Sequence, residues 1–98
     1  MEGGLRFQLL TPMKEIVSCS CDTVNLFEKD SADGWGGGSI GIRHGHLPAV
    51  VALAEDGPIR VISAGKVVFS ARVRGGFARV DADSVTVLTP DAIMSEDV

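Results

Sequence analysis

The sequence predicts an all-β domain, a sandwich or flattened barrel of short strands. Three observations carry that expectation. Apolar and polar residues alternate with the two-residue period of a half-buried strand in most segments. Turn signals rich in Gly, Pro, Asp and Ser recur at the spacing of short strands. No internal segment repeats its apolar residues with the longer period of a helix. With 98 residues, 45% of them apolar, the chain is read as one folded domain with one modest core, spanning residues 1–98.

Leu5-Arg6-Phe7-Gln8-Leu9 alternates cleanly and is read as the first strand, ended by Thr11-Pro12. Lys14 to Cys21 resumes extended character, with Val17, Cys19 and Cys21 on one face. Asp22-Thr23 reads as a turn or bulge, and Val24-Asn25-Leu26 alternates again. Lys29 to Gly38 is polar, glycine-rich and holds the single Trp, Trp35, which is read either as an exposed contact or as a lid. Ile40-Gly41-Ile42 is a short strand, and the His44-Gly45-His46-Leu47-Pro48 loop follows. Glycines permit positive φ and Pro fixes φ, so this stretch is built to hold one loop shape.

Ala49 to Ala54 is a continuous apolar run, expected to be buried on both faces. Glu55-Asp56-Gly57-Pro58 is a strong turn signal. Ile59, Val61 and Ser63 then share a face, and Ala64-Gly65-Lys66 predicts a β-hairpin. Val67, Phe69, Ala71 and Val73 alternate with Val68, Ser70, Arg72 and Arg74. Gly75-Gly76 in strand context implies a bulge or a close backbone approach. Phe77 to Asp81 continues as strand, Asp81 to Ser84 turns, and Val85 to Leu88 pairs back. Thr89-Pro90-Asp91 reads as a helix start, with room for a turn or two at most. The count is roughly eight to ten strands.

Net charge is -4, from 13 acidic and 9 basic residues, which argues against nucleic acid as the main partner. No apolar run nears the ~18 residues of a membrane helix. Met1-Glu2-Gly3-Gly4 does not open a signal peptide, so a cytoplasmic location is expected. Cys19 and Cys21 are read as small apolar residues on a sheet face, without function, because i and i+2 on a strand suit a disulfide poorly. The glycine-rich loop lacks the Lys-Ser/Thr and the following helix that phosphate cradles need. No nucleophile elbow is present. Arg72 and Arg74 read as the wet face of their strand, or as a basic stripe toward an acidic partner. His44 and His46 resemble the His-x-His of cupins, the alternative reading as a metal-binding β-module. The Glu and third His of that pattern are missing, so no metal and no cofactor is assigned.

Four stretches in order resemble the epsilon subunit of F-type ATP synthases. Phe7-Gln8-Leu9-Leu10-Thr11-Pro12 is similar to that family's opening strand and turn. Gly38-Ser39-Ile40-Gly41-Ile42 with Gly45, His46 and Pro48 resembles its Gly-x-x-Gly-Ile-x-x-Gly-His-x-Pro signature. Val73-Arg74-Gly75-Gly76-Phe77 and Val85-Thr86-Val87-Leu88 resemble its Val-x-Gly-Gly-Phe motif and last strand. Arg43-His44 stands where the family usually has Leu-Pro.

The resemblance implies a ten-stranded sandwich over about residues 5–88 with a short tail at 89–98. It implies a non-catalytic rotor-stalk subunit that grips gamma, sits on the c-ring below the catalytic head, and couples proton or sodium flow to ATP synthesis. Such a subunit is peripheral to the cytoplasmic face of an energy-transducing membrane. Ser39, Ile40, Gly41, Ile42, Arg43, His44, Gly45, His46 and Pro48 would form the docking loop, with Gly75, Gly76 and Phe77 serving packing. Family members commonly continue into two C-terminal helices that restrain ATP hydrolysis; this sequence stops at Val98, which implies a subunit without them.

Overall fold

In the computed structural model, which describes residues 4–29 and 38–94, ten strands form two five-stranded sheets. The strands are β1 (Leu5–Leu10), β2 (Glu15–Cys21), β3 (Thr23–Glu28), β4 (Gly38–Arg43), β5 (Ala49–Ala52), β6 (Glu55–Ser63), β7 (Lys66–Arg74), β8 (Phe77–Val80), β9 (Ser84–Leu88) and β10 (Ala92–Met94). The first sheet has the order β2-β1-β9-β8-β5 and the second β10-β7-β6-β3-β4. The fold is the β-sandwich expected from the alternation. Trp35 and the interior of the Lys29–Gly38 loop lie outside the described residues.

One face of each sheet is apolar, and the two faces meet in the core. Phe7, Leu9, Val24, Ile42, Ile59, Val61, Val80, Val85 and Val87 are fully buried there. Each such side chain stabilises the fold by about 1.5–3 kcal/mol through burial alone. All pairings are antiparallel except β1 with β9, which run parallel from Arg6↔Ser84 to Leu10↔Leu88. The hairpin between β6 and β7 closes on Ala64 and Gly65 with φ of 52° and 78°, the two positive values of a type I′ turn.

Three readings need correction. The apolar run from Ala49 is buried on one side only, since Val50 is 70% exposed. An edge strand of a two-layer sandwich has a single covered face; burial on both faces needs a third layer. The Glu55–Pro58 turn signal lies inside β6, where Asp56 (φ 58°) makes a bulge between the Glu55↔Arg74 and Gly57↔Val73 pairs. Thr89-Pro90-Asp91 does not start a helix. Thr89 N–H donates to the Leu10 carbonyl and its hydroxyl to the Asp91 carbonyl. The chain then runs into β10, which pairs with β7.

The two ends of the sandwich differ. At one end, Gly45 N–H donates to the Ala82 carbonyl at 2.6 Å and Arg6 N–H to the Asp83 carbonyl at 2.9 Å. Those bonds gather the β4–β5 loop, the β8–β9 turn and the start of β1. The far end carries the Thr11–Lys14 turn, the Gly75-Gly76 step and Thr89-Pro90.

Candidate partner-docking site

β4 is the edge of the second sheet and, among the described residues, pairs only with β3. Its two-residue period turns Ser39, Gly41 and Arg43 outward, all exposed, and Gly38, Ile40 and Ile42 inward. Ile42 is wholly buried and Ile40 packs half-buried against the core. Of the residues singled out in the sequence, these two therefore anchor the strand to the core. Gly41 has little spare room, because a Cβ there would stand 3.3 Å from Asn25 Oδ1.

The loop after β4 is held in one shape. His46 N–H donates to the Arg43 carbonyl at 3.3 Å, closing a turn over His44-Gly45. Gly45 has φ 90°, a value that favours glycine. Its N–H is tied to Ala82, as above, so the turn is fastened to the first sheet. The exposed His44 ring lies where a side chain on Gly4 would stand: a Cβ there would come within 2.8 Å of it. His46 is half-buried, and its Nδ1–H donates to the Leu47 carbonyl at 2.7 Å. With Nδ1 as donor, Nε2 of the neutral ring is an acceptor. Pro48 is exposed and leads into β5.

Sequence reasoning missed Leu47, which is 79% exposed in the loop between β4 and β5. Its signal was legible: a large aliphatic residue between His and Pro in a loop has no strand period to bury it. A shallow hollow of about 310 Å³ adjoins the loop, lined by Pro48, Ala49, Val50, Arg79, Val80 and Asp81. The Arg79–Asp81 pair beside it, at 3.7 Å, is largely exposed and contributes little stability.

The outer face of the first sheet was also missed. The register places Leu10, Leu88, Phe77 and Ala52 in one row across β1, β9, β8 and β5. Leu88 is 51% and Phe77 56% exposed. With Pro12 and Pro90 they border an apolar groove of about 390 Å³. Phe77 was expected to pack inward with the glycine pair; instead Ala78 and Val80 are the buried residues of β8, and Phe77 and Arg79 face out. The two glycines do serve packing. They have φ of 70° and 103°, and Gly76 passes against the backbone of Leu88 and Thr89.

Among the described residues, no three His, Cys, Asp or Glu side chains gather as a metal site would require. Cys21 is fully buried opposite Leu5, and desolvation pushes its thiol up to about 11; Cys19 is raised for the same reason. Neither is a poised nucleophile, because the thiolate is the reactive form. No helix among the described residues is long and apolar enough to cross a membrane.

The comparisons with known proteins agree with one another. Residues 4–95 match the family model described as ATP synthase, Delta/Epsilon chain, beta-sandwich domain. The ATP synthase epsilon chain of Frankia casuarinae is 32% identical over 88 residues, covering 90% of this chain and 94% of that one. The ATP synthase epsilon chain of Rhodococcus opacus is 38% identical over 61 residues, 62% of this chain and 50% of that one. The chain thus spans about half the length of some relatives and nearly all of another. Among solved structures, a chain of the Euglena gracilis mitochondrial ATP synthase (OSCP/F1/c-ring) superposes with a TM-score of 0.75 at 22% identity. That superposition covers 96% of this chain and 55% of that one. A chain of the Tetrahymena thermophila mitochondrial ATP synthase central stalk and c-ring gives 0.66 at 18% identity, over 92% and 66%. At those identities the structures show the shared fold.

Proposed function

The chain belongs to the family of ATP synthase delta/epsilon-chain β-sandwich domains, and from that membership we propose that it is a non-catalytic central-stalk subunit of an F-type ATP synthase. In this reading it grips gamma and rests on the c-ring below the catalytic head. It carries torque between ion-driven ring rotation and ATP synthesis, driven by protons or sodium ions. It performs no chemistry and holds no cofactor, and it sits peripherally on the cytoplasmic face of the membrane.

The observation that carries this reading is the fastened loop from Gly41 to Pro48. A torque-bearing contact needs a surface that does not yield. Here an exposed tip, Leu47 and Pro48, stands on a turn closed by Arg43 and His46 and tied by Gly45 to the opposite sheet. A loop held by a rigid scaffold is a common place for binding residues. The apolar row Leu10–Leu88–Phe77 supplies a second surface on the first sheet, suited to a broad partner such as gamma. Two separate surfaces fit a subunit that touches both gamma and the ring.

The test is a tagged pull-down of the full chain from native membranes, with the co-purifying subunits identified by mass. Gamma, head and c-ring subunits are expected together. His46→Ala is expected to weaken recovery of gamma by about tenfold, the scale of a modest hot spot, with the unfolding midpoint unchanged. Recovery of the chain alone removes the stalk reading, and a midpoint that falls in step with binding removes the docking role of His46.

A further inference from the structure

The outer face of the second sheet differs in character from both surfaces above. The register places Gly41, Asn25, Arg60 and Ser70 in one row, and Pro58, Arg72 and Ile93 in the next. Phe27 extends from β3 beside Pro58: a Cβ on Gly57, the residue before it, would lie 3.2 Å from Phe27 Cβ. Arg43 on β4, Arg60 on β6 and Arg72 on β7 are all exposed on this face. Phe27 and Ile93 are 40% and 53% exposed.

Among the described residues, these arginines have no carboxylate partner. Among the described residues, Arg79–Asp81 on the first sheet is the only ion pair within 4 Å. Arg72 spends one N–H on the Asp56 carbonyl at 3.0 Å, which orients the guanidinium without neutralising it. Asp22, near the start of β3, spends a carboxylate oxygen on the Ala64 N–H. Glu55 faces Arg74 in the register and does not reach the other three. An acidic chain of net charge -4 thus carries three arginines on one face with no ion pair among the described residues, interleaved with Phe27, Pro58 and Ile93.

We propose that this face binds an acidic amphipathic segment of a partner protein, carboxylates on Arg60 and Arg72 and apolar side chains on Phe27, Pro58 and Ile93. Arginine's planar fork suits a carboxylate in a two-bond contact. Aromatic residues and Arg are the types enriched at the centres of protein interfaces. A lipid surface fits less well, since headgroup binding uses clusters of about 4–8 basic residues. The face shares Gly41 and Arg43 with the start of the docking loop, but the contacts proposed here fall on Arg60, Arg72, Phe27, Pro58 and Ile93 and not on His46 or Leu47, so this proposal is tested apart from that loop.

The test uses the full ¹⁵N-labelled chain and a synthetic helical peptide with Glu on one face and Leu on the other. Amide shifts are expected at Asn25, Phe27, Arg60, Arg72 and Ile93, weakening as salt is raised. The double variant Arg60→Gln with Arg72→Gln, exposed positions outside the core, is expected to weaken binding by about tenfold or more. Four outcomes overturn the proposal: equal binding by the same peptide with Gln for Glu, shifts centred on the first sheet, no shift at millimolar peptide, or binding only to phosphatidylglycerol vesicles.

Discussion

Among the described glycines, Gly76 is the one whose replacement meets the tightest obstruction. It leaves β7 with φ 103°, and a Cβ there would overlap the Leu88 carbonyl and stand 2.8 Å from Thr89 Cα. Both obstacles are backbone, so neither can rotate away. Gly65 has φ 78° with open space around it and isolates the conformational part of the cost. Urea unfolding is expected to show Gly65→Ala losing about 1 kcal/mol and Gly76→Ala at least about 2 kcal/mol more. Equal losses would mean that the close approach is not the constraint. Cys21 gives a pH test. Its thiol rises from the ordinary 9.0 to about 11 in the fold, so the native state holds a proton that the unfolded chain gives up. The stabilisation is complete below pH 9 and is lost as pH rises from 9 toward 11. Cys21→Ala is expected to flatten that part of the stability profile, although it costs stability at every pH through the cavity left in the core. A slope between pH 9 and 11 identical to that of the parent chain would refute the assignment.

At the scale of the element, the strands were legible wherever one face is wet, because a single covered face writes a two-residue period into the chain. β1, β3, β7 and β9 carry that period. The readings that failed are those where the covering partner is remote in sequence. The Ala49 run does not record that β5 lies at an edge with Val50 outside. Thr89-Pro90-Asp91 has the local chemistry of a helix start, but β7 offers an open edge that β10 fills. The fastened loop from Gly41 to Pro48 was legible through its glycines, yet the apolar row on the first sheet was not, because Leu10, Phe77 and Leu88 come together only through the register. That row yields an element-scale prediction. Phe77→Ser and Leu88→Ser sit on exposed positions and are expected to cost no more than about 1 kcal/mol of stability each. Together they should sharply reduce recovery of gamma in the pull-down. Unchanged recovery would leave the loop as the sole docking surface.

For the whole molecule, the decisive pairing is the parallel one between β1 and β9, which places Phe7 beside Val85 and Leu9 beside Val87. β1 is then flanked by β2 and β9, so its amides and carbonyls are engaged on both sides. Nothing local in the sequence announces a pairing across nearly eighty positions; alternation identifies both strands as half-buried and leaves their partners open. The consequence is cooperativity, because the first sheet cannot close until the chain has been traversed almost to its last strand. Long-range pairing of this kind slows folding and removes stable partial structures. Native-state hydrogen exchange reads this directly. Amides of Phe7, Leu9, Val85 and Val87 are expected to exchange only through global unfolding. Those of β10, three residues on an outer edge, should exchange faster by about a hundredfold or more through local fraying. If β1 opened before β10, the parallel pair would not be the closure of the fold, and the rigidity that the proposed stalk role requires would have to reside in the second sheet instead.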